Sequence, residues 1–154
     1  MNPKVSFRDL YNNEIDLVIE LLVKHYKECI PDFIEKPNFK KFYKKAIIEN
    51  DDLKLLIMDI NDNVEGFIIY LYEKHPVYFR KDVIIREIYI SKSFRKLSIA
   101  SDSVLALQNI YKTENIFVDL LFKDVRAARF WKKNKFLKYQ KRYKLKKIIK
   151  SDEE

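Results

Sequence analysis

Residues 85–100 read IREIYISKSFRKLSIA, and this stretch decides the fold. It starts inside a segment, residues 83–90, whose β-branched and aromatic side chains predict a strand. A polar link at residues 91–97 follows, and the apolar spacing of residues 98–112 predicts a helix. The first turn of a helix carries unpaired N–H groups and the positive end of the helix dipole, which together favour an anion. The turn near Ser98 is therefore a candidate anion site, and the alternative is an ordinary helix N-terminus with Ser98 as its cap and Arg95 and Lys96 as solvated cations.

The chain before this stretch predicts a strand, two helices and a hairpin. The strand lies at residues 5–8, and a helix follows a cap at Asn12 or Asn13, with apolar residues from Ile15 to Tyr26 at helical spacing. A second helix is predicted at residues 38–50. Strands at residues 53–60 and 64–72 are joined at residues 61–63, Asn-Asp-Asn, which have the chemistry of a tight hairpin turn.

The chain after this stretch repeats a strand and a helix. A short strand is predicted at residues 116–120, a helix capped by Asp124 comes next, and β-structure is predicted at residues 136–139 and 143–149. The order is β-α-α-β-β-β-α-β-α-β-β. Hairpins imply antiparallel pairs early in the chain, and the strand-helix-strand crossover from Ile85 to Leu120 implies a parallel pair later. We expect an α/β fold with a mixed sheet, formed by a single domain at residues 1–150 with a short acidic tail at 151–154.

Composition limits the classes of function. The 154 residues are 47% hydrophobic, which is ample for one core of the usual size of about 100–200 residues. No stretch approaches the ~20 apolar residues of a membrane span, and the first residues lack a secretory signal, so we expect a cytoplasmic protein and no membrane partner. The lone Cys29 and the separated His25 and His75 provide no disulfide and no metal-ligand spacing, so no metal is expected.

The net charge of +8 would suit a polyanion such as nucleic acid. Of the 31 basic residues, however, 24 are Lys and seven are Arg, and Arg is the better marker of specific phosphate or base recognition. Residues 132–150 are the densest basic run, and they are interleaved with apolar residues as in strands with one solvated face. We therefore expect no nucleic-acid partner, and this reading stays the least favoured alternative.

Together with the order of elements, two motifs resemble the GNAT superfamily of N-acetyltransferases over nearly the whole chain. The cofactor signature of that family, Arg/Gln-x-x-Gly-x-Gly/Ala at the start of a helix, is matched by Arg95-x-x-Ser98-x-Ala100. The sole glycine, Gly66, lies where the family often has a strand reading Val-x-Gly-Phe. The resemblance implies the GNAT fold.

The second motif lies near the end of the chain. Family members carry Asn-x-x-Ala-x-x-Phe-Tyr ahead of a Gly-Phe pair, and this chain has Asp124-x-x-Ala127-x-x-Phe130-Trp131 followed by Lys-Phe at residues 135–136. The pattern is kept while three of its residues differ.

The resemblance implies that acetyl-CoA is the co-substrate and that the first helical turn after the link binds its pyrophosphate. A Ser at the first glycine position still supplies its N–H, provided that the loop needs no positive φ there. Arg95 and Lys96 add charge beside the phosphates. The cofactor-binding residues implied in this way are Ile88, Tyr89, Ile90, Arg95, Lys96, Leu97, Ser98, Ile99, Ala100, Ser101, Asp124, Ala127, Phe130 and Trp131.

The activity implied is direct acetyl transfer to an amine of a small molecule or protein. The amine must lose a proton, and Glu87 is the expected base, directly or through water, because the family often has an acidic residue here. The alternative for Glu87 is a surface carboxylate paired with Arg86 or a Lys. The backbone N–H of Ile90, or of a neighbour at that strand end, is the expected oxyanion donor.

The group that protonates the leaving thiolate is left open. Many relatives use the Tyr of the second motif, but Trp131 has an indole N–H that cannot serve as an acid at neutral pH. Water or one of Tyr89, Tyr139 and Tyr143 are the alternatives. His75, at a strand end, is a candidate substrate contact or base, and Cys29 is interpreted as a small buried apolar residue.

The acceptor, the oligomeric state and the retention of catalysis are not decided by the sequence. The aromatic-rich residues 33–43 are expected to line the acceptor side, and a homodimer is an open alternative to a monomer. The runner-up function is a catalytically degenerate acyl-CoA-binding or interaction module of the same fold.

Overall fold

The computed structural model describes residues 2–120, 125–139 and 145. Within these, five strands and four α-helices follow one another in the order that the sequence predicts. Their bounds are β1 Val5–Asp9, α1 Ile15–Cys29, α2 Phe39–Glu49, β2 Leu53–Ile60, β3 Asn63–Lys74, β4 Lys81–Ile90, α3 Ile99–Ile110, β5 Asn115–Val118 and α4 Val125–Lys133. Two short 3₁₀ helices, Asn12–Glu14 and Lys92–Phe94, precede α1 and α3. No helix among the described residues has the length and apolar content needed to cross a membrane.

The five strands form one mixed sheet in the order β1-β2-β3-β4-β5. The first four pair antiparallel, and β4 and β5 pair parallel across the crossover helix α3, as the sequence predicts. The β2–β3 hairpin turns at Asn61 and Asp62, which have φ angles of 53° and 66°. Two successive left-handed residues are the mark of a type I′ turn, which Asn and Asp tolerate better than most residues. The predicted α/β mixed fold is confirmed.

Each face of the sheet has its own apolar core. Helices α1 and α2 cover one face, hereafter the α1 face, and α3 and α4 cover the other, hereafter the α3 face. The α1-face core contains Val18, Leu22, Phe67, Ile69 and Tyr89. The α3-face core contains Ile68, Tyr70, Val83, Ile85, Leu107 and Trp131. Both cores meet strand β4, so this strand carries side chains into both.

Strand β4 contains a bulge. Ile85 pairs with Tyr70 of β3, and Glu87 pairs with the preceding residue of β3, Ile69, so that Arg86 is one residue more than the partner strand can match. A bulge of this kind bends a strand and re-aims the side chains beyond it. The bulge shifts the alternation of faces in the last residues of β4.

The end of α4 corrects one predicted strand. The N–H of Phe136 donates to Trp131 O and that of Lys135 to Lys132 O, each at 3.0 Å, with Lys135 at a φ of 68°. This is a Schellman motif, in which a left-handed residue ends the helix. Residues 136–139 form no strand within the described chain, because Phe136 still completes the helix end. The predicted strand at 143–149 lies outside the described residues, apart from Leu145.

Candidate active site

A cleft of about 400 Å³ opens between β4 and β5, bounded by α1, α3 and α4. It exists because the parallel pairing ends at Ile85 and Val118, and within residues 2–120, 125–139 and 145 the rest of β4 has no strand partner on that side. Unpaired strand groups offer hydrogen bonds to an extended ligand. The lining residues are His25, Tyr26, Glu28, Cys29, Ile85, Arg86, Glu87, Ile88, Tyr89, Ile90, Arg95, Ala100, Val118, Asp119, Leu120, Arg126, Ala127, Phe130 and Trp131.

The backbone of Ile90 faces this open side. Ser91 N donates across to Glu65 O on β3 at 2.8 Å, and neighbouring residues of a strand point their N–H and C=O groups in opposite directions. The Ile90 carbonyl accordingly accepts a 2.9 Å hydrogen bond from Arg95 Nε rather than from β3. The Ile90 N–H therefore points away from β3 and toward the open side of β4.

Gly66 sets the closeness of β3 and β4 beside this point. A Cβ on Gly66, which pairs with Ile90, would lie 2.5 Å from Tyr89 O and 2.8 Å from Met58 Sδ. Only glycine permits this approach of two backbones. The sole glycine of the chain is thus used to position the end of β4 and not to form a phosphate loop.

Glu87 is the centre of a hydrogen-bonded network on the α1 face. Its Oε2 lies 2.7 Å from His25 Nε2, and its Oε1 accepts a 2.7 Å hydrogen bond from the Tyr26 hydroxyl. The Tyr26 and Tyr43 hydroxyls lie 2.9 Å apart. The His25 and Glu87 side chains are only 17% and 16% exposed, so solvent screens this pair weakly. The alternative of a surface carboxylate paired with Arg86 or a Lys is wrong, because Arg86 reaches Asp119 instead, at 3.7 Å.

Tyr26 is held as a neutral donor. Burial raises its pKa well above the ordinary value, and both the hydrogen bond with Tyr43 and the Glu87 charge raise it further. The rings of Phe33 and Phe39 pack against Tyr26 with centroids 5.6 and 5.8 Å away. Phe33, Phe39 and Tyr43 therefore pack behind Tyr26, and none of residues 33–43 is among those that line the cleft.

The start of α3 departs from the expected backbone. Ser98 has a φ of 60° and Lys96 a φ of 64°, so this loop does need positive φ where the family has glycine. A left-handed L-residue costs roughly 1–2 kcal/mol. The Ser98 side chain makes no capping hydrogen bond, and the first helical bond runs from Asp102 N to Ser98 O at 2.9 Å. The N–H groups of residues 99–101 thus precede the helical ladder and are suited to an anion.

Arg95 ties the end of β4 to α1. Besides its bond to Ile90 O, its Nη2 donates to Glu28 Oε2 at 2.7 Å, and its guanidinium carbon lies 5.6 Å from the Tyr89 ring centroid. Burial and the Glu28 carboxylate raise the pKa of Tyr89. The charge of Arg95 is consequently paired within the protein, so Arg95 has a structural task that its motif position did not reveal.

The predicted site residues fall into three groups. Those that line the cleft are Glu87, Ile88, Tyr89, Ile90, Arg95, Ala100, Ala127, Phe130 and Trp131. Those in the link and first turn of α3, beside the cleft but not in its lining, are Lys96, Leu97, Ser98, Ile99 and Ser101. Asp124 lies outside the described residues.

The remaining candidate residues lie in different parts of the structure. Of the three tyrosines, Tyr89 lines the cleft, Tyr139 is 68% exposed with its ring 4.8 Å from that of Phe117, and Tyr143 lies outside the described residues. His75 lies in the β3–β4 loop at the opposite end of β4, where its Nδ1 accepts the N–H groups of Val77 and Tyr78, and it does not line the cleft. Cys29 is half-buried and lines the cleft.

Sequence reasoning missed His25 and Glu28, and it assigned Tyr26 to the core only. His25 and Glu87 are 62 residues apart, and no spacing rule connects them. Within the residues that the structure describes, no group of three or more His, Cys, Asp or Glu side chains could hold a metal ion.

No protein-family model and no curated protein matches the sequence. Solved structures match over nearly the whole chain. A possible acetyltransferase from Clostridium difficile 630 superposes with a TM-score of 0.81 at 15% identity, covering 94% of this chain and 98% of that one. The aminoglycoside N-acetyltransferase AAC(6')-Iy in complex with CoA gives 0.73 at 16% identity, covering 96% and 97%. Ribosomal-protein-alanine N-acetyltransferase from Brucella melitensis biovar Abortus 2308 gives 0.74 at 16%, covering 93% and 99%.

These likenesses show the fold, which is that of known acetyltransferases. More narrowly, this chain has the fold of the GNAT acetyltransferases.

Proposed function

We propose that the chain is an N-acetyltransferase that moves the acetyl group of acetyl-CoA directly to an amine of a small molecule or protein. The observation that carries the proposal is the end of β4, where the buried carboxylate network of Glu87 and the outward N–H of Ile90 stand three residues apart in one cleft. A proton acceptor next to an oxyanion donor is what amide formation from a thioester requires.

Acetyl-CoA fits the other wall of the cleft. Its pyrophosphate would meet the unpaired N–H groups of residues 99–101, where the helix dipole adds favourable charge. The extended pantetheine arm would meet the open edge of β4 beyond Ile85. Apolar side chains of α4, such as Ala127 and Phe130, line the same wall.

The proposed reaction is a direct transfer that forms no covalent enzyme intermediate. An ammonium first gives one proton to the Glu87 network, and the neutral nitrogen then attacks the thioester carbonyl carbon. The C–N bond forms, and the oxyanion accepts a hydrogen bond from Ile90 N–H. The C–S bond then breaks, and the products are an N-acetylated amine and CoA.

The proton donor for the leaving thiolate is the least obvious part of the reaction. Trp131 is 5% exposed and its indole is not an acid at neutral pH. Tyr89 lines the cleft, but its raised pKa makes it a weak acid. We propose that the second proton of the attacking nitrogen passes to the sulfur, directly or through water, so that no Tyr at the Trp131 position is needed.

The carboxylates that line the cleft are relevant to the choice of acceptor. Glu28 is paired with Arg95 and Asp119 with Arg86, so two of the lining carboxylates are already matched by Arg. Two structural neighbours are named for aminoglycosides and for a ribosomal-protein alanine. For this chain the proposed acceptor class stays an amine of a small molecule or protein.

The cytoplasmic location of the protein stays a prediction. The choice between a monomer and a homodimer also stays open.

Two measurements test the proposal. Acetyl-CoA raises the melting temperature, because a ligand that binds the folded state alone must stabilise it. A thiol-release assay with a broad panel of amines then gives amine-dependent CoA formation, and Glu87→Gln lowers kcat/KM at least a hundredfold. Glu49→Gln, at an exposed position in α2, is the control and keeps the rate.

The same measurements identify the alternatives. Stabilisation by acetyl-CoA without thiol release for any amine would point to the degenerate acyl-CoA-binding module. Absence of any response to acetyl-CoA, with strongly salt-dependent nucleic-acid binding, would point to the basic nucleic-acid-associated alternative.

A further inference from the structure

We propose that His25 is the residue that takes the proton from the amine, and that Glu87 is a positioning residue that fixes the tautomer and orientation of the imidazole. The inference rests on the proposed function, which it deepens. It moves the proton-accepting atom from a carboxylate of β4 to a ring nitrogen of α1.

The directions of the hydrogen bonds carry the first step. The Tyr26 hydroxyl donates to Glu87 Oε1. Because its proton is used there, Tyr26 accepts from the Tyr43 hydroxyl, 2.9 Å away. Glu87 is thus the end point of a chain of donors, which is the role of an ionised carboxylate. An ionised carboxylate only accepts, so the remaining contact, His25 Nε2 to Oε2 at 2.7 Å, places the ring proton on Nε2.

The second step concerns the other ring nitrogen. With its proton on Nε2, a neutral imidazole has a bare lone pair on Nδ1. Among the hydrogen bonds between residues 2–120, 125–139 and 145, none engages His25 Nδ1. The His25 side chain lines the cleft, so its ring forms part of the wall of the site. The arrangement of a base oriented by a carboxylate through its second nitrogen is the logic of catalytic dyads and triads.

The surroundings of His25 favour this tautomer. The titratable groups in contact with His25 are Glu87, which is hydrogen-bonded to it, and the rings of Tyr26 and Tyr89. Glu28, Cys29 and Arg95 line the same cleft. The Glu28 charge is taken by Arg95 at 2.7 Å. Glu87 is therefore the carboxylate in direct contact with the imidazole, and it stabilises the imidazolium formed when Nδ1 gains a proton.

Both oxygens of Glu87 are occupied by donors from α1, which argues against this carboxylate as the direct base. A proton on either oxygen would turn an acceptor into a donor facing His25 or Tyr26.

The proton transfer balances as follows. One proton leaves the ammonium nitrogen for Nδ1, and His25 becomes an imidazolium bonded to the Glu87 carboxylate. The neutral nitrogen forms the C–N bond, the C–S bond breaks, and the second nitrogen proton goes to the thiolate sulfur. His25 then releases its proton to water, which restores the starting tautomer.

The chain has two histidines, so the tautomer can be read directly. A long-range ¹H–¹⁵N NMR spectrum of the wild type, assigned with His75→Gln, is expected to show His25 with its proton on Nε2 at neutral pH. A spectrum with the proton on Nδ1 would overturn the proposal, and this measurement requires neither an acceptor nor activity.

Kinetics with the best amine of the panel complete the test. His25→Gln is expected to lower kcat/KM at least a hundredfold. His25→Ala is expected to regain at least tenfold activity with added imidazole, which a purely structural role would not produce. His75→Gln is the matched control and keeps the rate.

The outcomes separate the two claims. A wild type that acetylates amines, together with a His25→Gln variant that melts normally and keeps kcat/KM within threefold, overturns the role of His25 alone. A wild type that acetylates no amine overturns the proposed function and this assignment with it. If His25→Gln does not fold, the role of His25 is decided by the NMR tautomer of the wild type and by the imidazole rescue of His25→Ala. A proton on Nδ1, or no rescue, would overturn it.

Discussion

Ile85 and Ile88 pack on the same face of β4 although they are three positions apart, a spacing that a regular strand would place on opposite faces. The extra residue between them is Arg86, which has no partner in the register with β3. Its insertion leaves Glu87 on the α1 face, against His25 and Tyr26. The bulge also coincides with the point where β4 and β5 stop pairing, so one irregularity both aims the carboxylate and bounds the cleft.

Deletion of Arg86 is predicted to remove the cleft and keep the fold. Without the extra residue, β4 regains regular alternation with Ile85, Ile88 and Glu87 on their present faces, and pairing with β5 can extend past Ile85. We expect a cooperative thermal transition but acetyl-CoA binding weakened at least tenfold in calorimetry. Arg86→Ala, which keeps the backbone bulge, is the control and is expected to bind within about threefold of the wild type. Equal binding by the deletion variant would show that the bulge does not form the cleft.

Gly66→Ala is predicted to destabilise the protein and to lower its activity together. The added Cβ meets the Tyr89 carbonyl, which is backbone, and so β4 must shift at the residue before Ile90. Overpacking of this kind costs typically about 1–3 kcal/mol, measurable by urea unfolding. Lys54→Ala, exposed on β2, is expected to change stability by less than about 0.5 kcal/mol. A Gly66→Ala protein as stable and active as the wild type would contradict the close approach.

Ser98→Gly is predicted to stabilise the protein by up to about 1 kcal/mol. Glycine relieves the left-handed strain at φ 60°, and its greater freedom in the unfolded chain offsets part of the gain. Gln108→Gly, at an exposed position inside α3, provides the comparison and is expected to lose roughly 0.5–1 kcal/mol. If both variants lose stability equally in chemical denaturation, Ser98 is not left-handed.

The Arg8–Glu14 pair gives a pH-dependent stability. Both Arg8 Nη atoms donate to the Glu14 carboxylate at 2.8 Å, and this contact lowers the pKa of Glu14 below its ordinary value of 4.5. Its contribution is therefore complete above pH 4.5 and is lost as the pH falls through the lower folded-state pKa.

Urea unfolding at several pH values tests this pair. Glu14→Gln is expected to be less stable than the wild type at neutral pH, and the difference should shrink as the pH falls below 4.5. Asp16→Asn, at a side chain that is 79% exposed, is the control. A gap between wild type and Glu14→Gln that stays constant down to acid unfolding would contradict the assignment.

The sequence specifies the order of elements well because each has a strong local signal. Strand β2 has the predicted bounds, residues 53–60, and the Asn61-Asp62 turn carries residues that tolerate the left-handed region its type requires. The helices α1 and α2 follow their apolar spacing to within a few residues.

The geometry of the site is less accessible from sequence. The adjacent polar residues Arg86 and Glu87 interrupt the apolar alternation and are the signal of a bulge, but the same pair is also compatible with a solvent-facing strand end. The contact of His25 with Glu87 depends on how α1 is rotated over the sheet, which neighbouring sequence does not encode. Ser98 gives no local sign that its φ is positive.

The central claim is that this cleft transfers an acetyl group from acetyl-CoA to an amine, and mass spectrometry of the acceptor tests it most directly. With isotope-labelled acetyl-CoA and the amine panel, the wild type is expected to produce a labelled N-acetyl product in amounts that match the CoA released, and Glu87→Gln to produce at least a hundredfold less. The claim is contradicted if acetyl-CoA binds in the cleft and no amine gains the label above the rate without enzyme.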